Sequence, residues 1–595
     1  MQNNIDSRLD ALHQISRKKL ADILTRIPGK KDLIIDPVLM KPLECITGVS
    51  FLRSNGVEKI FKLEKSGVTC VNTQWVYLVY SDLITAKRVC DQINANLRQT
   101  NLNNYHMIIV PRELVAIELL LEEEGIYDEV TVYTFPWELI RLDGGVLSHE
   151  LSGLFRMLFI DSDRSLLPAV AKSLWSLQML FGKIPATLTL GRFSMQVQEM
   201  IEVLFEELGK SDRHDSEISC LLIVDRDVDF ASVLLTPVTY AGLLDEVFGI
   251  NSGTVELDSR VIGNQEGAGG KVNYQLSSTD VIYNEIKNRH FSDVFPFLSG
   301  KAKELHSEFD RSRNMALQEM KHYVSTELQK VTAMKRSLAY HIGACEVIIG
   351  EMGHRFESLH QAEQNMLEGR NKRESVNFIE ECFAMSNKLS TLRLLCLLAL
   401  TQDGLSQDEA MSLKTQFLHK YGYEHLVAFR NLEKLGLLTR QATGSLTVDS
   451  AGKLAGRMAQ VVSQLPKRGG AFQAFAYKMK LFPEVSDDYD LKHPTDPGYV
   501  FGGAYVPLIC QIINLFIRKE LTAEDVVKLG PNLGGASWTG KSGNSTQQTY
   551  LVYFVGGVTY AEIAAFQLLE KLTGARIIVA GSSIINGNSF IQSIV

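Results

Sequence analysis

Near the C-terminus the chain reads "TYLVYFVGGVTYAEIAAFQLLEKLTGARIIVAG", residues 549–581. This is a strand, a tight turn, a helix and a second strand, with Thr559 and Glu562 spaced as a capping box. Two strands cannot make a stable sheet alone. Residues 281–473 read almost wholly as helix. Segments such as "VTAMKRSLAYHIGACEVII" carry apolar residues at helical spacing with both charge signs on the other faces. The simplest arrangement adds the two strands to a sheet laid down much earlier, the one containing "CLLIVD" at 220–225. The helical stretch is then an insertion within a discontinuous α/β domain.

A separate α/β pattern fills the first third. Compact apolar or β-branched runs, "DLIID" (32–36), "VYLVY" (76–80), "HMIIVP" (106–111) and "EVTVY" (129–133), alternate with helical patterns such as "SDLITAKRVCDQINANL" and "RELVAIELLLEEEG". Alternation with continuous apolar strands predicts a parallel sheet covered on both faces. The first strand runs into "DPVLMKPL", with no glycine-rich turn, so a dinucleotide cradle is missing. The second α/β block begins near "LDGGVLSHEL" and holds "ATLTL" and "CLLIVD". The expected division is α/β domain one at 1–135, α/β domain two at 136–250 with 483–595, and a helical domain at 251–482. Polar, glycine-rich composition marks 251–280 and 530–548 as surface loops.

At 595 residues the chain has room for three or four domains. A net charge of -8 argues against a general nucleic-acid binder. Eight cysteines without a CxxC, mostly in apolar runs, read as reduced core residues of a cytosolic protein. The N-terminus reads as an amphipathic helix without a secretory apolar region. The longest apolar run, "LRLLCLLALT", is far short of the roughly 20 residues that span a bilayer. Any membrane association is thus expected through partners.

Three stretches invite chemical readings. "CLLIVDRDVDF" ends a strand in Asp225, Arg226, Asp227 and Asp229, loosely like an aspartyl phosphatase motif in which the first Asp attacks phosphate. The position two after the second Asp is Asp229 where that motif wants Thr or Val, and no convincing lysine and acidic pair follows. Alternatively, Asp225 and Asp227 pair with Arg226 and cap backbone N–H groups. "GASWTGKS", residues 535–542, matches a phosphate-binding P-loop at every fixed position. Such a loop needs a strand feeding it and a helix leaving it. Here a helix feeds it and a strand leaves, so both flanks are wrong. Third, residues near 405–450 read as a winged-helix-like pair of helices with a short β-like run. Few basic residues on the second helix (Arg430 and Lys434) favour protein contact over DNA. No HExxH and no GxSxG occurs.

The opening of that first stretch also carries a resemblance. "LLIVDRDVDFASVLLTPVTYAGLLDEVFGI" resembles the signature of the SM family, the Sec/Munc-type regulators of SNARE-driven membrane fusion. A strand ends in D-R-x-x-D and is followed by T-P-x-x-x-Y-x-x-L, here Asp225, Arg226, Asp229, Thr236, Pro237, Tyr240 and Leu243. "FVGGVTYAEIAAFQLL" resembles the family's C-terminal strand–Gly-Gly–helix. "KYGYEHLVAFRNLEKLGLL" resembles its vacuolar protein sorting branch, and "HIGACE" and "GGAYVPL" that branch's B-type. The resemblance implies an arch of two parallel-sheet α/β domains with a large helical domain inserted in the second. It implies no catalytic residue, no cofactor and no metal, and peripheral action at late endosome and lysosome membranes. The partners implied are SNARE proteins and a helical tether subunit of the vacuolar protein sorting-associated protein 16 type, with no nucleic acid. Asp225, Arg226, Asp227 and Asp229 become a structural network. Lys330, Lys335 and Arg336 are candidates for SNARE contact, because SNARE bundles are acidic and complementary charge guides docking. Lys414, Tyr423 and Leu426 are candidates for the tether subunit. They sit where Ser406 and Glu409 start a helix, Gly422 ends it, and Ala410, Leu413 and Phe417 face inward.

Overall fold

The computed structural model describes residues 2–595 apart from 66, 99–102, 210, 212, 214, 259–269, 278, 313–327, 354, 386, 442–469, 484–489, 491 and 541–547. The chain divides into two compact units, one of 1–154, 163–185 and 196–219, the other of 155–162, 186–195 and 220–595.

The first unit is built on five parallel strands: β1 (Lys31–Ile35), β2 (Val57–Lys62), β3 (Gln74–Tyr80), β4 (Asn104–Val110) and β5 (Val130–Thr134), in the order β2-β1-β3-β4-β5. Every residue of β1 and β3 is buried, as strands covered on both faces require. β2, "VEKIFK", is an edge strand with only Val57 buried, which is why an apolar-run search passes over it. Asp82 caps the helix Leu83–Leu97 through Thr85 N at 2.8 Å, and that helix seats Ala86, Val89, Cys90 and Ile93 on the sheet. β6 (Ile140–Asp143) and β7 (Val146–Ser148) form an antiparallel pair. His149 follows, 1% exposed, its Nε2 3.1 Å from Ser173 Oγ. Burial, with the Lys19 charge adding, pushes its pKa from 6.5 down to about 3. In acid the unfolded chain takes up this proton before the folded chain does. The stabilisation is complete above about pH 6.5 and is lost as pH falls from there toward 3. A His149→Gln chain should show a shallower acid slope, by roughly 1.4 kcal/mol per pH unit, in melts between those limits.

In the second unit lie β8 (Ala186–Leu190), β9 (Cys220–Asp225), β10 (Thr254–Asp258), β11 (Lys271–Gln275), β12 (Ala536–Gly540), β13 (Thr549–Val555) and β14 (Arg576–Gly581). Five of them run in the order β12-β8-β9-β13-β14. β13 lies parallel to both β9 and β14, with Leu551 opposite Leu221 and Ile578. The C-terminal strands thus complete a sheet begun before the helical stretch. That stretch includes the helices Leu328–Met352, Arg355–Glu368, Lys388–Thr401, Gln407–Tyr421 and Leu426–Leu435. "LRLLCLLAL" is buried from Leu392 to Ala399 and is a core helix.

Two expectations need correction. Within 251–280, β10 and β11 form an antiparallel hairpin whose Val255 and Leu257 are buried, because alternate residues of a polar strand suffice to seat one face. Within 530–548, Ala536–Gly540 is a strand, antiparallel to β8, with Trp538 opposite Leu188. The residues that match a P-loop are therefore largely an edge strand, whose backbone N–H groups point along a ladder rather than converge on a phosphate. Lys541 and Ser542 lie outside the described residues, as does the β-like run expected after the winged-helix pair.

Candidate functional site

The segment that raised the question of chemistry leaves β9 and reaches helices far apart in the sequence. Asp225 is wholly buried. Its carboxylate accepts from Phe193 N at 2.7 Å, Ser194 N at 2.8 Å and Ser194 Oγ at 2.5 Å, at the start of the helix Arg192–Glu207. Burial pushes its pKa up and the Asp227 charge adds to this, while these donors pull it back. Gly191 makes the approach possible, since a Cβ there would fall on the Asp225 carboxylate.

Arg226 points the other way and is 1% exposed. Its Nη1 meets both oxygens of Glu562 at 2.9 and 2.8 Å, its Nη2 donates to the Asp229 carbonyl, and its guanidinium stands 5.5 Å from the Phe554 ring centre. Burial works against this charge, and Glu562, with Asp229 and Tyr505 adding, more than restores it. The expected pairing of Arg226 with Asp225 and Asp227 is thus replaced by an acid from far along the chain. Glu562 does double duty, for it also closes the capping box with Thr559. Asp229 accepts from Ser232 N and Oγ, from Tyr505 Oη at 3.3 Å and from Leu508 N at 3.0 Å, the start of the helix Leu508–Ile517. Asp227 is half-buried beside them.

A nucleophile must be reachable. Asp225 has no exposed surface and both oxygens are engaged, so a phosphate could meet it only if residues 191–194 moved away. Among the described residues no group of three His, Cys, Asp or Glu is placed to hold a metal ion.

The TPVTY stretch extends the same construction. Thr236 donates from N and Oγ1 to buried Glu363, the latter at 2.6 Å, and its Oγ1 accepts from Arg393 Nη2 at 3.0 Å. Arg393 also binds the Leu234 carbonyl and Glu246. Burial lifts Glu363 to about 7 against the pull of Arg393. Tyr240 Oη lies 2.7 Å from His341 Nδ1, and His341 Nε2 lies 3.3 Å from Asp280, which caps the helix Val281–Ile286. The partners Glu562, Glu363, Arg393 and His341 were missed from sequence. Arg393 had a visible signal, a lone charge in the apolar run "LRLLCLLAL".

The other candidates lie on the surface. Tyr423 is 61% and Leu426 46% exposed, so they do not pack between their two helices. Leu413 and Phe417 fill that place, and the Ser406–Glu409 capping box and Gly422 bound the helix. Val427 and Met411 add exposed apolar surface that sequence reasoning passed over. Lys414 is half-buried, its Nζ 5.2 Å from the Phe429 ring centre and 3.7 Å from Glu433. Lys330, Lys335 and Arg336 are all exposed on the helix Leu328–Met352. At about 100° per residue they point to different sides of it and form no single stripe.

The sequence matches the Sec1 family model over residues 31–593. It is 37% identical to human vacuolar protein sorting-associated protein 33B, an alignment covering 98% of this chain and 96% of the relative. It is 30% identical to rat vacuolar protein sorting-associated protein 33A, covering 98% and 97%. The fold is shared with Unc18 in its syntaxin 1 complex from Monosiga brevicollis, TM-score 0.59 at 16% identity, covering 98% of each chain. It is also shared with Vps45 in complex with the Qa SNARE Tlg2, TM-score 0.59 at 15% identity, covering 98% and 97%. The chain belongs to the Sec1 family.

Proposed function

We propose that this chain is a non-enzymatic regulator of SNARE-driven fusion of vesicles, endosomes and lysosomes, holding SNARE helices while a helical tether subunit holds the chain. The observation that carries this is the use made of the signature residues. Asp225, Arg226, Asp229 and Thr236 are engaged with helix starts and buried partners, in a chain that matches the Sec1 family almost throughout. Two solved relatives are complexes with SNAREs, which supports the same ligand class here. No helix among the described residues is long and apolar enough to cross a membrane. The phosphate-chemistry alternative lacks a reachable nucleophile at Asp225, and the described part of its P-loop match, Ala536–Gly540, is an edge strand.

SNARE contact is assigned to the helical region at roughly 300–370, with Lys330, Lys335 and Arg336 supplying charge. Retention of assembled SNARE helices by the pure chain tests the reading, and micromolar Mg-ATP affinity abolished by Lys541→Ala would overturn it. The tether subunit, of the vacuolar protein sorting-associated protein 16 type, is assigned to Lys414, Tyr423 and Leu426. An exposed aromatic beside Leu426 and Val427 is a fitting anchor, and truncating such an anchor costs about 2 kcal/mol or more. Tyr423→Asp with Leu426→Lys should abolish co-purification of that subunit, weakening binding about thirtyfold or more, with the melting temperature unchanged. Retained binding, or unfolding of the chain, contradicts the assignment.

A further inference from the structure

A cavity of about 230 Å³ in the first unit has no part in anything described so far. Its walls include Lys19, Arg112, Trp137, Glu138, His149 and Lys172, with three prolines giving a rigid rim. Three cations face one carboxylate. Lys19 and Glu138 neutralise each other at 2.5 Å, and Lys19 also donates to the Pro136 carbonyl. Arg112 spends one Nη on the Ser165 carbonyl at 3.0 Å and keeps the rest of its fork. Lys172 is exposed in the second turn of the helix Leu167–Phe181. The local excess is therefore two positive charges.

One lining residue carries an unmet polar atom. His149 is 1% exposed, and its Nδ1 has no hydrogen-bond partner among the described residues. Its backbone carbonyl is taken by Trp137 Nε1 at 3.1 Å, and its Nε2 meets Ser173 Oγ. When Ser173 donates to Nε2, the neutral ring carries its proton on Nδ1 and is a donor. A buried donor left unmet is unfavourable.

We infer that this cavity binds a small phosphate monoester, with Arg112 and Lys172 on the phosphate oxygens and the His149 ring in the wall beside them. A monoester carries about -1.5 to -2 charges at neutral pH, which matches the excess, and has several acceptor oxygens for fork and ammonium donors. A carboxylate would leave one cation unanswered. The apolar rim of prolines and Trp137 suits the organic group that bears the phosphate. The source is either a soluble ester or the headgroup of a phosphorylated lipid.

The test uses the full chain and three probes: inorganic phosphate, inositol trisphosphate, and phosphatidylcholine vesicles with and without a phosphatidylinositol monophosphate. Calorimetric titration reads the soluble probes and flotation the vesicles. Saturable binding is expected for at least one probe, weakened about tenfold or more in Lys172→Gln and in Arg112→Gln and unchanged in Lys62→Gln on the far edge strand. Lys172 is exposed, so its variant keeps its fold and decides the matter even where Arg112→Gln fails to fold. Binding confined to vesicles assigns the lipid source, and binding of inositol trisphosphate in solution the free ester. No saturable binding to any probe, or equal affinity in Lys172→Gln, overturns the inference.

Discussion

The Arg226→Ala chain is expected to lose about 3–5 kcal/mol of stability, because it leaves Glu562 charged, buried and unpaired. Whole proteins are stable by only about 5–15 kcal/mol, so soluble yield should fall steeply. Glu562 would also lose the guanidinium that bridges β9 to the helix Tyr560–Thr573, two elements far apart in sequence. The origin of the loss can be tested by rescue. Arg226→Met combined with Glu562→Gln leaves no unpaired charge and keeps an oxygen for Thr559 N. That pair should melt close to the native chain, since buried ion pairs often give way to apolar groups at little cost. Urea unfolding of the two chains measures the difference. An Arg226→Ala chain as stable as the native one would show that the ion pair holds nothing.

Gly191→Ala should cost a similar amount for a different reason. Gly191 sits at φ +104° and its missing Cβ is the space that the Asp225 carboxylate fills. A side chain there pays for a disfavoured backbone, about 1–3 kcal/mol. It also pushes Asp225 off the three donors of Phe193 and Ser194, leaving a buried carboxylate short of partners at about 1–3 kcal/mol more. Gly153→Ala separates the two costs, because Gly153 has a positive φ of +85° with open space around it. Thermal melts should rank Gly191→Ala well below Gly153→Ala. Equal melting of the two would mean that the Asp225 cradle contributes nothing.

What the sequence disclosed follows from what local pattern can encode. The buried strands β1, β3, β4, β9 and β13 are continuous apolar runs and were legible. So was the pairing of β13 with β9, because two strands make no stable sheet alone. β2 and β12 were not legible, since edge strands carry polar residues on the ladder's open side. The hairpin of β10 and β11 hid in a polar stretch for the same reason, its Val255 and Leu257 spaced by a glutamate. At the site, Asp225, Arg226 and Asp229 stood out as charges after an apolar strand, yet their partners are set by long-range packing. No local pattern places Glu562 beside Arg226 or Glu363 beside Thr236. Tyr423 and Leu426 show the reverse limit: their sequence fits a helix junction equally well inside or outside a core, and only the packing of Leu413, Phe417 and Phe429 decides that they face solvent.

The central claim is that the chain acts by holding acidic SNARE helices rather than by turning over a substrate. It is tested most directly by an anisotropy titration of a labelled, assembled SNARE four-helix bundle with the full chain. The native chain should bind saturably, and more weakly as salt is raised. Reversing the exposed Lys330, Lys335 and Arg336 to Glu should weaken binding by about tenfold or more without changing the melting temperature. Identical titration curves for the native and charge-reversed chains, or no binding by either, would contradict it.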